Sequence, residues 1–316
     1  MPKFLRRADP AVVTSFACIV ILLLLGSLYS RSFLSPEYLL QQLKVASFLG
    51  VIATGMMLVI LLGQIDLSVP WSVATGAMMA CAAAAYGSLG VALAIPFGVL
   101  CGVAIGLVNG IGVGVFRVHP LIMTLGTSLI GTGFLQVYQR TVIASGAKIP
   151  DFLNWLGTGV TYGFPNALLL FVPVAVLIVF MLNRTGFGRL LYAVGDNERA
   201  ARLSGVRYWQ VITALYVLSS LLAGITGLLY IGLIKAPSLS LAEPLVLPSV
   251  AAAVIGGTSI FGGRGGYTGT IIGALILTVL TTLLTILQMP EGGRRILFGF
   301  IVLFVTAAYL RIVEDR

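Results

Sequence analysis

Ten long apolar stretches recur along this sequence, and most of them are long enough to cross a lipid bilayer. A transmembrane helix needs about 20 consecutive, mostly apolar residues. Only 9% of the residues are charged, whereas soluble domains carry about 25%. We therefore predict an all-α polytopic membrane protein that forms one transmembrane domain over residues 1–316. The predicted spans lie at about 11–29, 46–62, 71–86, 91–116, 121–138, 167–183, 211–232, 247–260, 267–287 and 296–310.

The distribution of lysine and arginine predicts the orientation of the chain, because these residues collect in cytoplasmic loops and ends. Ten spans with a cytoplasmic N-terminus place both termini inside the cell. Twelve of the 19 lysines and arginines then fall on the cytoplasmic side, namely Lys3, Arg6, Arg7, Arg117, Arg184, Arg189, Arg199, Arg202, Arg207, Arg264, Arg311 and Arg316. We interpret Ala11–Tyr29 as a retained span, since no clear signal-peptide cleavage site follows it.

No catalytic or metal-binding constellation stands out in the sequence. The one histidine, His119, precedes a proline at a predicted helix start, and Cys18, Cys81 and Cys101 lie in apolar stretches without metal-type spacing. The glycine-rich run Gly257–Gly266 lacks the Gly-Lys-Ser/Thr ending of a phosphate-binding loop. We expect no enzymatic activity, metal or cofactor in this chain. Its basic residues are explained by membrane orientation, so we expect no nucleic-acid partner either.

Four glycines recur every fourth residue in the fourth predicted span, at Gly102, Gly106, Gly110 and Gly114. In a helix this spacing puts all four on one face. Small residues on one face allow a second backbone to approach closely. The pattern predicts a tight helix–helix contact along this span, and it is typical of a polytopic bundle.

Two glycine-containing segments interrupt the hydrophobic pattern, at Gly63–Pro70 and at Gly256–Gly266. Paired interruptions of this kind can mark broken helices around a transport path. In the first, Ser68 is a candidate cap of the helix that follows, and Pro70 suits its first turn. Asp66 would then lie near the positive end of that helix.

The segment Asn183–Gln210 is the main polar interruption, with five arginines and two acids between apolar stretches. A basic loop of this kind belongs on the cytoplasmic side. Within it we predict a helix of about two turns, with Asp196 as its N-cap, Asn197–Ser204 as its body and Gly205 as its left-handed C-terminal residue. Such a helix either docks a soluble partner or merely covers the bundle.

The predicted spans contain almost no charged residues within their apolar cores. Ion-coupled transporters commonly carry acidic or basic residues there to bind the driving ion. If the chain moves a solute uphill, its energy is expected to come from a protein partner that acts on the cytoplasmic loop.

Four motifs follow one another along the chain, namely GQIDLSV at Gly63–Val69, HPLIMTLGT at His119–Thr127, GRLLYAVGDNERAARLSGV at Gly188–Val206 and AAAVIGGTSIFGG at Ala251–Gly263. Together, and in this order, they resemble the motifs of bacterial ABC-importer permeases for simple sugars of the ribose, xylose, arabinose and galactose group, which are related to branched-chain amino acid permeases. The resemblance covers about residues 45–310. Gln64 and Pro70 stand where the family pattern has glycine, and Leu247–Ser249 replaces an acidic run.

The resemblance implies a type II-like ABC importer fold in the bacterial cytoplasmic (inner) membrane. It implies separate ATPase subunits that bind ATP and contact a coupling loop at 184–209, and a second permease copy or a paralogue that completes the pore. An extracytoplasmic sugar-binding protein would meet Thr141–Phe164 and Ile234–Leu245. The predicted coupling residues are Gly195, Asp196, Asn197, Ala200, Ala201, Arg202, Leu203, Ser204 and Gly205.

Polar residues beside the interruptions and within the spans are the candidates for the translocation path. Interhelical hydrogen bonding is the alternative role for each of them. The candidates are Asp66, Ser68, Asn109, Thr124 and Thr127.

The predicted function is therefore the permease subunit of an ATP-driven importer that carries a pentose or hexose. A branched-chain amino acid, a furanone-type sugar derivative or another small polar solute is the alternative cargo within the same architecture. A stand-alone secondary transporter or channel is a second class, and it would work in liposomes without ATP. A membrane-embedded enzyme acting on a lipid-linked substrate is a third, but it would require paired acids or a metal site.

Overall fold

The chain is almost entirely helical in the computed structural model, which describes residues 10–144, 148–236, 238–239 and 243–314. Two short strands, β1 (Val160–Thr161) and β2 (Phe164–Pro165), form an antiparallel hairpin. The α-helices of the described residues are α1 (Pro10–Tyr29), α2 (Pro36–Ile60), α3 (Val69–Ala84), α4 (Gly87–Gly114), α5 (Pro120–Ala144), α6 (Asp151–Thr158), α7 (Ala167–Arg184), α8 (Gly186–Asp196), α9 (Glu198–Leu203), α10 (Tyr208–Ile234), α11 (Val246–Ile255), α12 (Tyr267–Ile286) and α13 (Glu291–Glu314).

Each of the ten predicted spans overlaps one of these helices, although α11 ends at Ile255, five residues before the predicted end of the span at 247–260. Within the described residues, six helices are long and apolar enough to cross a membrane, namely α2, α4, α5, α7, α10 and α12. Three shorter apolar helical segments accompany them, at Phe16–Tyr29, Val69–Ala84 and Glu243–Ile255. The all-α, multi-pass architecture is thus confirmed, and the count of ten crossings with both termini inside stays a prediction.

Several predicted features fall on residues that the structure does not describe. Lys3, Arg6, Arg7 and Arg316, which contribute to the predicted orientation, lie outside the described residues. So do residues 145–147 of the predicted outer segment Thr141–Phe164, and residues 237 and 240–242 of Ile234–Leu245.

The boundaries of several elements differ from the sequence-based ones. Helix α2 begins at Pro36, ten residues before the predicted span, because Ser35 caps it by accepting a hydrogen bond from the Tyr38 amide at 3.2 Å. Its polar first turns, which include Lys44, therefore belong to the helix although they lower the hydropathy there. Helices α6 and α8 were not predicted as separate elements.

Helix α2 lies at the centre of the bundle. In its most apolar 18-residue window, 89% of the residues are buried inside the protein. A helix that is apolar on all faces is expected in such a position. It packs against α7, α10, α11 and α12, so most of its surface meets protein and not lipid.

Helices α4 and α10 form the most extensive contact between two elements, and the glycine stripe lies in it. A Cβ at Gly106 would lie 2.6 Å from the Tyr216 carbonyl oxygen, and one at Gly110 would lie 2.6 Å from the Thr213 Cα. Gly102 and Gly114 likewise face the α10 backbone. The predicted close approach is confirmed, and α10 is the partner that the sequence did not identify.

The two glycine-containing interruptions meet in space. After α11 ends, the Gly256–Gly266 segment folds back on itself, and the Gly263 amide donates a hydrogen bond to the Leu61 carbonyl at 2.9 Å. Leu61 lies between α2 and Gly63, so this bond holds the second interruption beside the start of the first. Helix α8 reaches the same place, since Gly195 packs against Leu61 and Gly263.

Candidate functional site

The predicted cytoplasmic loop contains two helices, α8 and α9, that are separated by one extended residue. Thr185 begins the first of them, because its side chain accepts a hydrogen bond from the Gly188 amide at 3.2 Å. Leu191 and Val194 are buried on one face of α8. Their burial holds α8 against the bundle and leaves α9 beyond its end.

The prediction that Asp196 caps the second helix is wrong. Asp196 is the last residue of α8, and Asn197 is the N-cap of α9. The Asn197 side chain accepts a hydrogen bond from the Ala200 amide at 2.9 Å, and its backbone is extended, with φ −154° and ψ 98°. Asparagine is as good an N-cap as aspartate. Because α8 extends to Asp196, Asn197 is the residue that occupies the capping position of α9.

The predicted end of the helix is confirmed. Gly205 has a φ of +84°, in the left-handed region that favours glycine. The Gly205 amide donates to the Arg202 carbonyl at 3.0 Å, and the Val206 amide donates to the Ala201 carbonyl at 3.1 Å. Glu198 in the first turn and Arg202 in the last form an ion pair with each other.

Most of the predicted coupling residues are exposed on this helix. Leu203 is 84% exposed. Ala201, one of the predicted coupling residues, is buried against the bundle. Gly195 and Arg202 are half-buried. The residues that face solvent are Asp196, Asn197, Ala200, Leu203, Ser204 and Gly205.

Tyr192 anchors this loop to the second interruption. Its hydroxyl donates a hydrogen bond to the Gly265 carbonyl at 3.0 Å. Burial raises the pKa of the Tyr192 phenol above its ordinary value, so the hydroxyl keeps its proton and remains a donor. A displacement of α8 would therefore reach the second interruption directly.

Removing the Asn197 cap is expected to loosen α9 without unfolding the bundle. Asn197→Ala should cost about 1 kcal/mol of local helix stability, because the Ala200 amide loses its acceptor. Amide hydrogen exchange should become faster over residues 198–204. Asn197→Asp is the matched control, since aspartate caps equally well, and an unchanged exchange rate in Asn197→Ala would contradict the assigned cap.

A buried polar network lies beside the first interruption. Asp66 accepts hydrogen bonds from the Ser68 amide at 2.9 Å, from the Ser68 hydroxyl at 2.6 Å and from the Ser219 hydroxyl at 3.2 Å. The Asn109 amide nitrogen donates to the Ser68 hydroxyl at 2.7 Å, and the Thr127 hydroxyl donates to the Asn109 amide oxygen at 2.7 Å. The network thus joins the segment before α3 to α4, α5 and α10.

The structure brings four of the five path candidates together. Asp66, Ser68 and Asn109 are fully buried, and Thr127 is partly buried. Their contacts are the interhelical hydrogen bonds that were the alternative role, and their place on a translocation path stays a prediction. The Thr124 side chain does not join them, because its hydroxyl donates to the Pro120 carbonyl of its own helix at 2.9 Å.

The capping role predicted for Ser68 is wrong in its chemistry. Ser68 does occupy the N-cap position of α3, but its side chain makes no capping hydrogen bond. Its hydroxyl is engaged instead by Asp66 and Asn109. Pro70 lies in the first turn as predicted.

Sequence reasoning missed the residues of α10 that contact this site. Ser219 bonds to Asp66, and the Tyr216 hydroxyl donates to the Gln64 side-chain oxygen at 3.1 Å. Both partners are about 150 residues away in sequence, and hydroxyls within an apolar stretch are the kind of group that finds interhelical partners. That general preference was the available signal.

No group of three or more metal-binding side chains is found in the described part of the chain. In the polar network, buried neutral donors form hydrogen bonds with one carboxylate, that of Asp66. The exposed helix is α9. This arrangement is compatible with a packed helical bundle whose helices move relative to one another.

Comparison with known proteins yields a consistent set of relatives. The family described as "Branched-chain amino acid transport system / permease component" matches residues 38–306. The ribose import permease protein of Haemophilus influenzae is 31% identical over 297 residues, which cover 93% of this chain and 91% of the relative. That of Bacillus subtilis is 33% identical over 293 residues, covering 91% and 89% respectively.

A third relative imports a different sugar. The fructose import permease protein of Rhizobium meliloti is 30% identical over 317 residues, covering 95% of this chain and 85% of the relative. No solved structure matches the chain.

Proposed function

The chain belongs to the family of branched-chain amino acid transport system permease components, and from this premise we propose that it is the membrane-spanning subunit of an ATP-driven importer of a simple sugar. It is a multi-pass protein of the bacterial inner membrane. The observation that carries the proposal is α9, a short capped helix that is exposed in the loop between α7 and α10 and follows α8, which Tyr192 anchors to the second interruption.

We propose that α9 is the docking element for a separate ATPase subunit. Its surface offers an exposed leucine, Leu203, beside the Glu198–Arg202 ion pair. A helix whose apolar anchor is surrounded by charge can fit a groove on a soluble partner. The chain itself has no phosphate-binding loop, so the ATP would be bound and hydrolysed by that partner.

Two further partners complete the proposed assembly. A second copy of this chain, or a paralogue, would share the pore. A sugar-binding protein would dock on the outer side, where α6 and the β1–β2 hairpin expose Phe152, Tyr162 and Phe164. Exposed aromatic residues are enriched at protein interfaces.

The identity of the cargo is proposed from the relatives. Those with a named cargo that are described above carry ribose or fructose, and a D-allose permease protein of Escherichia coli is 32% identical. A pentose or hexose is therefore the first candidate. A branched-chain amino acid or another small polar solute is the alternative, because the matched family is described by that transport system.

Reconstitution tests this function directly. The chain is co-expressed with an ABC ATPase subunit and a sugar-binding protein of the same organism, purified and placed in liposomes with radiolabelled ribose, fructose or leucine. Sugar uptake should require ATP, and it should stop when the ATPase carries a hydrolysis-blocking substitution. Uptake by this chain alone, driven by an ion gradient and indifferent to ATP, would instead identify a secondary transporter.

A further inference from the structure

Gln64 lies in the first interruption and contacts two tyrosines of α10. Its side-chain oxygen accepts a hydrogen bond from the Tyr216 hydroxyl at 3.1 Å, and its side-chain nitrogen lies 3.4 Å from the Tyr208 hydroxyl. The two tyrosines are about two helical turns apart and share one face of α10. One carboxamide thus bridges the cytoplasmic end of α10 and its buried interior.

Tyr208 also contacts the cytoplasmic helix α9. The Arg202 guanidinium lies over the Tyr208 ring, with its carbon 4.2 Å from the ring centroid. Such a cation–π contact is favourable within about 6 Å. Because Arg202 is held by Glu198 of the same helix, a movement of α9 changes the position of Tyr208.

Gln64 is connected on its other side to the buried network. Asp66, two residues later in the same short segment, accepts hydrogen bonds from Ser68 and Ser219. Ser219 follows Tyr216 by three residues, so both face the same segment from one side of α10. The segment is therefore held against α10 at two points, through Gln64 and through Asp66.

We propose that Gln64 is a positioning residue that couples movement of α9 to the segment containing Asp66. The contacts run from Arg202 to Tyr208, from Tyr208 to Gln64, and along the backbone to Asp66. Hydrogen bonds have strict geometry, so they resist the sliding that apolar contacts between two surfaces permit. This proposal rests on the proposed function, since it names how the ATPase docking helix reaches the membrane interior.

The test measures the number of sugar molecules transported per ATP hydrolysed by the reconstituted complex. Gln64→Leu and Tyr208→Phe each remove one partner of the contact and keep the side-chain size nearly constant. The ratio of sugar to ATP should fall about two- to tenfold in each, the range that one hydrogen bond confers on an equilibrium. The double variant should be no worse than Gln64→Leu alone, because both changes break the same contact.

Tyr230→Phe is the matched control. It removes a hydroxyl from a tyrosine of the same helix whose ring packs against Phe48 with centroids 5.2 Å apart, far from the interruption. Its ratio should equal that of the wild type. Membrane levels and co-purification of the ATPase are measured for every variant.

Two results would overturn the proposal. One is a wild-type ratio of sugar to ATP in Gln64→Leu and Tyr208→Phe. The other is a fall in ratio that is fully explained by lost ATPase co-purification, which would place both residues in docking and not in transmission. A wild-type complex that fails to transport sugar at all contradicts the proposed function, and this outcome is distinguished by the unmodified sample.

Discussion

Deleting Asn197–Ser204 is expected to abolish ATP-dependent sugar uptake and to leave the chain in the membrane. The deleted residues form α9 and its cap, and Ala201 is the one fully buried side chain among them. The bundle keeps α2, α4 and α10, so insertion should proceed. The ATPase, however, loses its proposed docking surface, and uptake and ATPase co-purification are the two measurements.

A point variant separates loss of docking from the change in loop length. Leu203→Glu alters the most exposed apolar side chain of α9, and interface anchors of this kind commonly contribute about 2 kcal/mol or more. We expect ATPase affinity to fall about 30-fold. The matched control is Leu287→Glu just after α12, a leucine that is 47% exposed and lies outside the coupling loop 184–209. Normal transport after the deletion would show that α9 has no coupling role.

Introducing a large side chain at Gly106 should strongly destabilise the folded protein. A Cβ there would lie 2.6 Å from both the Tyr216 carbonyl oxygen and the Val217 Cα. These are backbone atoms, so they cannot rotate away. Gly106→Leu must separate α4 from α10, and we expect a loss of about 3 kcal/mol, at the upper end of the usual range for overpacking. Thermal unfolding in detergent, followed by size-exclusion chromatography, measures it.

Gly133→Leu is the control for that variant. Gly133 lies on α5, is exposed and has no atom within 4 Å of an added Cβ. It makes the same chemical change in a helix of the same bundle, so its unfolding temperature should match the wild type. Equal unfolding temperatures for Gly106→Leu and the wild type would mean that the α4–α10 contact is not close in the protein.

Features with a local physical cause could be predicted from the sequence. The glycine stripe predicts a close helix–helix contact, because the spacing alone puts Gly102, Gly106, Gly110 and Gly114 on one face of α4. Gly205 predicts the end of a helix, because few other residues adopt the left-handed backbone conformation that is common there. The cap was misplaced by one residue, since Asp196 and Asn197 have equal capping strength and the choice depended on where α8 ended.

Features that depend on distant parts of the chain could not be predicted. Gln64 is an ordinary polar residue in a turn until Tyr208 and Tyr216 are brought beside it. Ser219 reads as a tolerated small residue of an apolar helix until its hydroxyl meets Asp66. Both assignments require the register of α10 against the first interruption, and the packing of the whole bundle sets that register.

The enclosure of α2 has a consequence for how the protein is made. Helix α10, one of its main neighbours, is synthesised about 150 residues after α2, which takes on the order of 10–30 s at bacterial elongation rates. During that interval α2 has entered the membrane without α10, α11 or α12 beside it. Its most apolar 18-residue window has a mean hydropathy of 2.1, which suits both surroundings in turn. A charged residue in α2 that α10 neutralised in the finished bundle would be exposed to hydrocarbon until α10 is inserted.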